Sequence, residues 1–308
     1  MPEINSKHFR LEKIQEGVYA AIAKDGGGAA ANAGIIDLGD KTIVFDTFNT
    51  QQAAGDLKEI AERITKQPVS WVVNSHWHGD HIRGNQILKN SNILASETTL
   101  QKMKENHPKR IAKQKEDISG LNHYIESLLQ QSKISTDQKL EHNINFLREI
   151  ALSLPTLELV LPQYTFKSEF TIYGTKRNAI ISSLGTGHSE CDSILYLPED
   201  KIIFMGDLLF VETHPSIFPE SNPLEWANTL NRMSKFDVKK VVPGHGPVGV
   251  TEDITKLKDY LNELITLSNT DINTEEILVP RKYKEWVSSE LFIGNLRALK
   301  KAKCNPVL

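Results

Sequence analysis

Three histidines and an aspartate fall within six consecutive positions of this sequence, His76-Trp77-His78-Gly79-Asp80-His81. Neutral imidazoles and a carboxylate form a good ligand set for zinc, manganese or iron. On an extended segment residues two apart share a face, so His76 and His78 can aim at one point. Gly79 permits a sharp change of direction, after which Asp80 and His81 can face a second point. An isolated His-x-His pair is more often structural, its nitrogens hydrogen-bonded in place. Three histidines and a carboxylate in one loop exceed what a turn needs for its own hydrogen bonds, and the excess points to metal binding.

Further ligand-type residues lie downstream, each at the end of an apolar run. Gly187-His188 follows Ile180–Leu184, Gly206-Asp207 follows Ile202–Met205, and Gly244-His245-Gly246 follows Val241–Val242. Loops at strand ends, held by a rigid scaffold, are where sheet proteins place functional side chains. Three such endings plus the loop at His76 can converge on one edge of a sheet.

The elements that must position these residues read as follows. Val18–Ala23, Gly34–Leu38, Thr42–Phe45 and Val69–Val73 are strand-like apolar runs, and Gln51–Thr65 has helical spacing of Ala54, Leu57, Ile60, Ala61 and Ile64. Residues 96–153 are polar and nearly free of glycine. They read as two or three amphipathic helices, divided near Pro108 and Ser135-Thr136-Asp137 and ended by Pro155. This helical insertion reads either as packing on the main domain or as a lid over the site, and one insertion can be both. Strands return at Ala179–Ser182, Ile194–Leu197, Ile202–Met205 and Lys240–Val242, with a helix at Pro223–Ser234 opened by proline. From Thr251 the chain turns helical, with a second helical stretch from Trp286 to Leu299. The order implies a sheet core flanked by helices, residues 1–250 forming one domain and 251–308 a helical extension packed on it.

The string His76-x-His78-x-Asp80-His81, followed by Gly187-His188, Gly206-Asp207 and Gly244-His245-Gly246, resembles the metallo-β-lactamase superfamily over roughly residues 15–250. The resemblance implies an α/β (α+β) fold, an αββα four-layer sandwich of two mixed β-sheets flanked by helices, with metals at the edge between the sheets. It implies that His76, His78 and His188 bind a first metal, that Asp80, His81 and His245 bind a second, and that Asp207 bridges them. Asp46 matches the family's first motif aspartate, which supports a ligand rather than being one. Two divalent ions are implied, zinc most simply, with iron or manganese as alternatives. Many β-lactam-hydrolysing members carry cysteine or serine near position 207. An aspartate there resembles the glyoxalase II-like and lactonase-like branches. The expected activity is hydrolysis of a small ester, lactone, thioester or amide by metal-activated water, with Asp80 orienting the water and passing on its proton. Alternatives are a mononuclear iron persulfide dioxygenase, a β-lactam hydrolase or nuclease of the same fold, and a degenerate metal-binding module without activity.

Composition narrows the partners. A formal net charge of −3 and the lack of a basic stripe argue against nucleic acid. Lys300, Lys301 and Lys303 read as a solvated tail. No apolar run approaches a membrane span, and residues 1–5 open no export signal, so the expectation is a cytoplasmic protein acting on a small molecule. Two cysteines, Cys191 and Cys304, form no disulfide framework. Cys191 reads as a small buried residue rather than a nucleophile, Gly26-Gly27-Gly28 as a mobile hairpin loop flanking the site, and Trp226 with Leu230 as core. Trp77, between two ligand candidates, is expected to pack outward or to shape the rim. His214, seven positions after Asp207, is a candidate catalytic residue as proton donor or substrate contact, set against a plain surface histidine. No Gly-x-Ser-x-Gly elbow is present.

Overall fold

A computed structural model of the chain describes residues 6–304. Residues 1–5, read for an export signal, and the side chains of Lys303 and Cys304 lie outside the described residues. The first half of the chain forms a seven-stranded sheet in sequence order. Its strands are β1 (Phe9–Gln15), β2 (Val18–Ala23), β3 (Ala33–Asp37), β4 (Thr42–Phe45), β5 (Val69–Val73), β6 (Asn92–Ser96) and β7 (Tyr164–Phe166). β1 to β4 pair antiparallel and β4 to β7 parallel. The second half forms a five-stranded sheet in the order β12-β11-β10-β9-β8. These are β8 (Glu169–Ile172), β9 (Ala179–Gly185), β10 (Asp192–Leu197), β11 (Ile202–Phe204) and β12 (Lys240–Val242). Only β11 and β12 pair in parallel there.

Side-chain alternation explains why several strands are continuous apolar runs. Ile43 and Phe45 of β4 face the other sheet, packing with Phe204, Leu195 and Val242, while Val44 between them faces outward against α1 (Gln51–Thr65). Thr50 caps α1 by accepting from the Ala53 N–H, and Lys66 closes it in the left-handed conformation at φ 59°. Ala53, Leu57, Ile60 and Ala61 fill the layer beneath it. Beyond the second sheet lie α6 (Pro223–Met233), α7 (Thr251–Ser268) and α8 (Leu291–Cys304), which bury Trp226, Leu230, Leu257, Tyr260, Leu261 and Phe292 against β10 to β12. The result is the αββα sandwich, with one apolar core between the sheets and one on each outer face.

A short helix α2 (Gly79–Ile82) follows β5, and α3 (Glu97–Glu116), α4 (Ile118–Ser132) and α5 (Gln138–Ser153) fill the insertion. Pro108 does not divide α3. Both Pro108 and Lys104, whose carbonyl loses its helical donor, are exposed, so water can satisfy the freed oxygen. The break falls instead at Asp117, at φ −103° and ψ 26°. Helix α8 starts at Leu291, later than the Trp286 expected, because Trp286 is spent in an aromatic cluster with Tyr260 and Tyr283. Lys300 is not a free tail residue: its Nζ donates to the Ile272 carbonyl at 2.5 Å.

Candidate metal centre

Strand directions bring the site residues together. β4 and β5 are parallel and in register at Phe45 and Val73, so Asp46 and the loop from Asn74 leave at the same edge. β11 and β12 are likewise parallel and matched at Phe204 and Val242. β9 runs antiparallel to β10, which runs antiparallel to β11, so β9 also ends there. The two edges meet: Ser193 N donates to the Ser75 carbonyl at 2.9 Å, and Asn32 Nδ2 donates to the carbonyls of Pro243 at 3.0 Å and Gly246 at 2.8 Å.

The ligand-type atoms gather in two groups, each within 4.8 Å: His76, His78, His188 and Asp207 in one, Asp80, His81 and His245 in the other. Asp207 links them. Its Oδ2 lies 3.2 Å from His188 Nε2 and 3.4 Å from His245 Nε2, and its Oδ1 lies 3.1 Å from His81 Nε2. His78 Nδ1 and His188 Nε2 are 3.0 Å apart. His76 Nε2 is buried without a hydrogen-bond partner, and His81 Nε2 and Asp207 Oδ1, though close to each other, are buried without meeting in hydrogen-bonding geometry. Orphaned buried polar atoms are rare, and these belong to the groups that converge. The donor set therefore fits divalent metal ions, which would satisfy these atoms together.

Outer contacts fix the rings. Asp46 sits at φ 60°, a strained backbone for a non-glycine residue. Its carboxylate accepts from Ser75 N and Ser75 Oγ, both at 2.8 Å, and contacts His81 Nδ1 at 2.8 Å. Ser75 Oγ also contacts His76 Nδ1 at 2.9 Å. His78 Nε2 meets Glu220 Oε1 at 3.2 Å. Each contact leaves the other ring nitrogen facing the cluster. Backbone economy matters equally: Gly206 takes φ +51°, and a Cβ on Gly244 would overlap Asp207 Oδ1.

Charge is divided unevenly. Burial, reinforced by neighbouring imidazoles, pushes His76 well below its ordinary pKa. Burial likewise takes His188 down to about 3. For His81, burial opposes the charge, but Asp207, Asp46 and Asp80 outweigh it and raise the pKa well above the usual value. Burial would raise Asp207, yet His245, His81 and His188 hold it well below the carboxylate range. Thus two imidazoles are kept neutral and ready to ligate, while one carboxylate is kept ionised between them.

Asp80 differs from Asp207 in access. Its side chain is 28% exposed against 5%, so of the two it is the carboxylate a ligand can reach. A cavity of about 210 Å³ opens beside it, lined by His78, Asp207, Phe218, Glu220 and His245.

Other candidates fall elsewhere. His214 is neither at the surface nor in the pocket. It is fully buried, its Nδ1 2.9 Å from Tyr260 Oη and its Nε2 3.1 Å from the Tyr283 carbonyl, because α7 and the segment before α8 close over it. Trp77 does not face outward: it packs with Ile82, Met103 and Cys191, with the Arg110 guanidinium 5.2 Å over its ring. Gly27 and Gly28 are buried, and Gly28 is tied down, its N–H donating to His8 Nδ1 at 2.9 Å and its carbonyl accepting from Thr50. Cys191 is fully buried, its thiol pushed up to about 12 by burial, which makes it a poor nucleophile. Trp226 and Leu230 are core. The sequence reading missed Glu220, Arg83 and Arg110: Glu220 lies in a loop with no ligand-like pattern, and an arginine just after the histidine loop or on the polar face of α3 looks like any solvated charge.

Comparison with known proteins agrees with this fold. The sequence profile of the Metallo-beta-lactamase superfamily matches residues 26–245. "Beta-lactamase-like protein 2 homolog" of Caenorhabditis elegans is 20% identical over 256 residues, 82% of this chain and 68% of that protein. "Metallo-beta-lactamase type 2" of Bacteroides fragilis is 31% identical over 111 residues, 35% of this chain and 45% of that protein. Among solved structures, a metallo-beta-lactamase from Pontibacter korlensis superposes with a TM-score of 0.61 at 18% identity, covering 82% of this chain and 99% of that one. The FIM-1 enzyme from Pseudomonas aeruginosa, in its mono-zinc form, gives 0.59 at 16% identity, covering 83% and 95%. With the sandwich, the strand-end histidines and a profile match running from the β2–β3 hairpin to His245, the chain belongs to the metallo-beta-lactamase superfamily.

Proposed function

We propose that the chain is a metal-dependent hydrolase acting on a small ester, lactone, thioester or amide. The observation that carries this is the convergence of seven ligand-type side chains from both sheets in two adjoining groups, with His76 Nε2, His81 Nε2 and Asp207 Oδ1 buried and lacking hydrogen bonds. His76, His78 and His188 with Asp207 would hold one ion, and Asp80, His81 and His245 a second, zinc being the simplest choice. When bound, such ions supply Lewis acidity and an ionised water at neutral pH. Asp80, exposed to the cavity, orients the attacking water and passes its proton to the leaving group. Asp207, low in pKa and buried, stays ionised and holds the two ligand groups together. His81 is fixed by Asp46 and His78 by Glu220, so neither ring must reorganise during the reaction. The site requires no serine or cysteine nucleophile.

The test joins elemental analysis of the purified protein with a screen of chromogenic ester, lactone, thioester and β-lactam substrates. Roughly two equivalents of zinc with chelator-sensitive hydrolysis are expected. A single iron with thiol-dependent oxygen uptake would overturn the reading.

A further inference from the structure

A second cavity, of about 590 Å³, adjoins the metal cluster and shares Gly79, Asp80 and Arg110 with the smaller one. Its walls differ in chemistry. One face of α3 supplies Arg110, Lys113 and Gln114, which lie at i, i+3 and i+4 and so point the same way, and Asp117 at the break after α3 adds a carboxylate. Arg83, from the loop after α2, joins them. The opposite wall is apolar: Leu121 of α4, Phe146, Leu147 and Ile150 of α5, and Leu154. Phe146 is half-buried and joins neither apolar cluster inside the insertion.

The cationic wall is undercompensated. Arg83 is 7% exposed, yet it bonds only neutral amides: Asn49 Oδ1 at 3.4 Å and Gln114 Oε1 at 2.6 Å. Its Nε has no partner. Arg110 and Lys113 are exposed and solvated; among the described residues neither forms an ion pair, and Arg110 rests over Trp77, so the uncompensated burial is that of Arg83. Against these three cations the cavity wall offers Asp117 and Asp80, and Asp80 is committed to the histidine cluster. A buried guanidinium without a carboxylate is costly, and an anionic ligand would offset that cost.

We propose that this cavity selects substrates carrying an oxyanion group and an apolar segment. Arg110, at the junction of the two cavities, holds the oxyanion with Arg83 and Lys113, and the apolar segment lies along Phe146, Leu147 and Ile150. Recognition of the substrate's charge thus comes from Arg110 and Lys113 of the helical insertion together with Arg83 beside the histidine loop. The inference rests on the hydrolase reading in that the ligand is the substrate of that site, but its binding test does not need turnover.

The test is calorimetric titration of the metal-loaded protein with octanoate, octyl sulfate, octanol and butyrate. Both eight-carbon anions are expected to bind at least about tenfold more tightly than octanol, and octanoate at least about tenfold more tightly than butyrate. Arg110→Gln should reduce the anion preference to less than about threefold, Arg110→Lys should keep part of it, and Phe146→Ala should weaken octanoate. Lys104→Gln, elsewhere on α3, serves as the control and keeps the preference. Equal binding of octanoate and octanol would overturn the proposal. So would an anion preference untouched in Arg110→Gln, which would place the anion on the metal centre. Hydrolysis is measured separately with the chromogenic ester, lactone, thioester and β-lactam screen: no turnover of any of them sinks the hydrolase reading while the binding pattern still decides the cavity's role.

Discussion

Asp207 touches imidazoles of both ligand groups, and no other side chain of the cluster does so through both of its oxygens. Asp207→Ala is expected to lower metal content and turnover together, turnover by more than the ~10–100-fold typical of losing an outer partner. Elemental analysis beside a rate measurement decides it, and unchanged metal content would remove Asp207 from its linking role. Glu220→Gln keeps the shape but weakens the hold on His78 Nε2, so metal affinity should fall by roughly tenfold or more. Competition with a zinc-binding dye reads that change. Cys191 gives a contrasting prediction. In a Cys304→Ser background, a disulfide reagent at pH 8 should find no reactive thiol in the folded protein and one after denaturation, because burial holds Cys191 as a thiol. The residues of the cluster were legible in the sequence, His188, Asp207 and His245 because each follows an apolar run and a glycine, and His76, His78, Asp80 and His81 because they crowd one short loop. Glu220 was not, since its role depends on the loop before α6 folding across the cluster, and nothing in Pro219-Glu220-Ser221 marks that.

Elements show the same division. α1 and the strands of the inner core were readable because spacing alone reports a face buried on one or both sides. β1, β6, β7 and β8 were not, being short, edge-like or only partly apolar, so their pairing is decided by neighbours rather than by their own pattern. His107 of α3 is fully buried and donates from Nε2 to the Trp77 carbonyl at 2.6 Å, pinning the insertion to the ligand loop. Burial lowers its pKa to about 4. The unfolded chain therefore takes up this proton first as pH falls. The stability that neutral His107 contributes is complete above about pH 6.5 and is lost toward pH 4, about 3 kcal/mol at most. Denaturation of the metal-free protein at pH 7 and pH 4.5 should show a smaller decline in His107→Gln than in the parent. An equal decline would remove this residue from the acid response.

At the scale of the whole molecule, the C-terminal helices are part of the packed body. His214 is held by Tyr260 of α7 and by the Tyr283 carbonyl, so its importance is to folding. His214→Ala should cost roughly 2–4 kcal/mol by vacating volume and stranding the Tyr260 hydroxyl. Turnover per folded molecule should stay near the parent value, and a selective loss of turnover at full stability would restore His214 as a catalytic candidate. The sequence could not show this, since the partners lie 46 and 69 residues away.

The two sheets are also the two halves of the chain, joined where β7 gives way to β8 across Lys167 and Ser168. Each ligand group draws from both halves: His76 and His78 meet His188 and Asp207, and Asp80 and His81 meet His245. Metal is therefore expected to act as a clasp. If the backbone is cut at that junction and the two fragments are produced separately, they should reassemble far more readily with zinc than with chelator, and complementation in trans would report occupancy without any substrate.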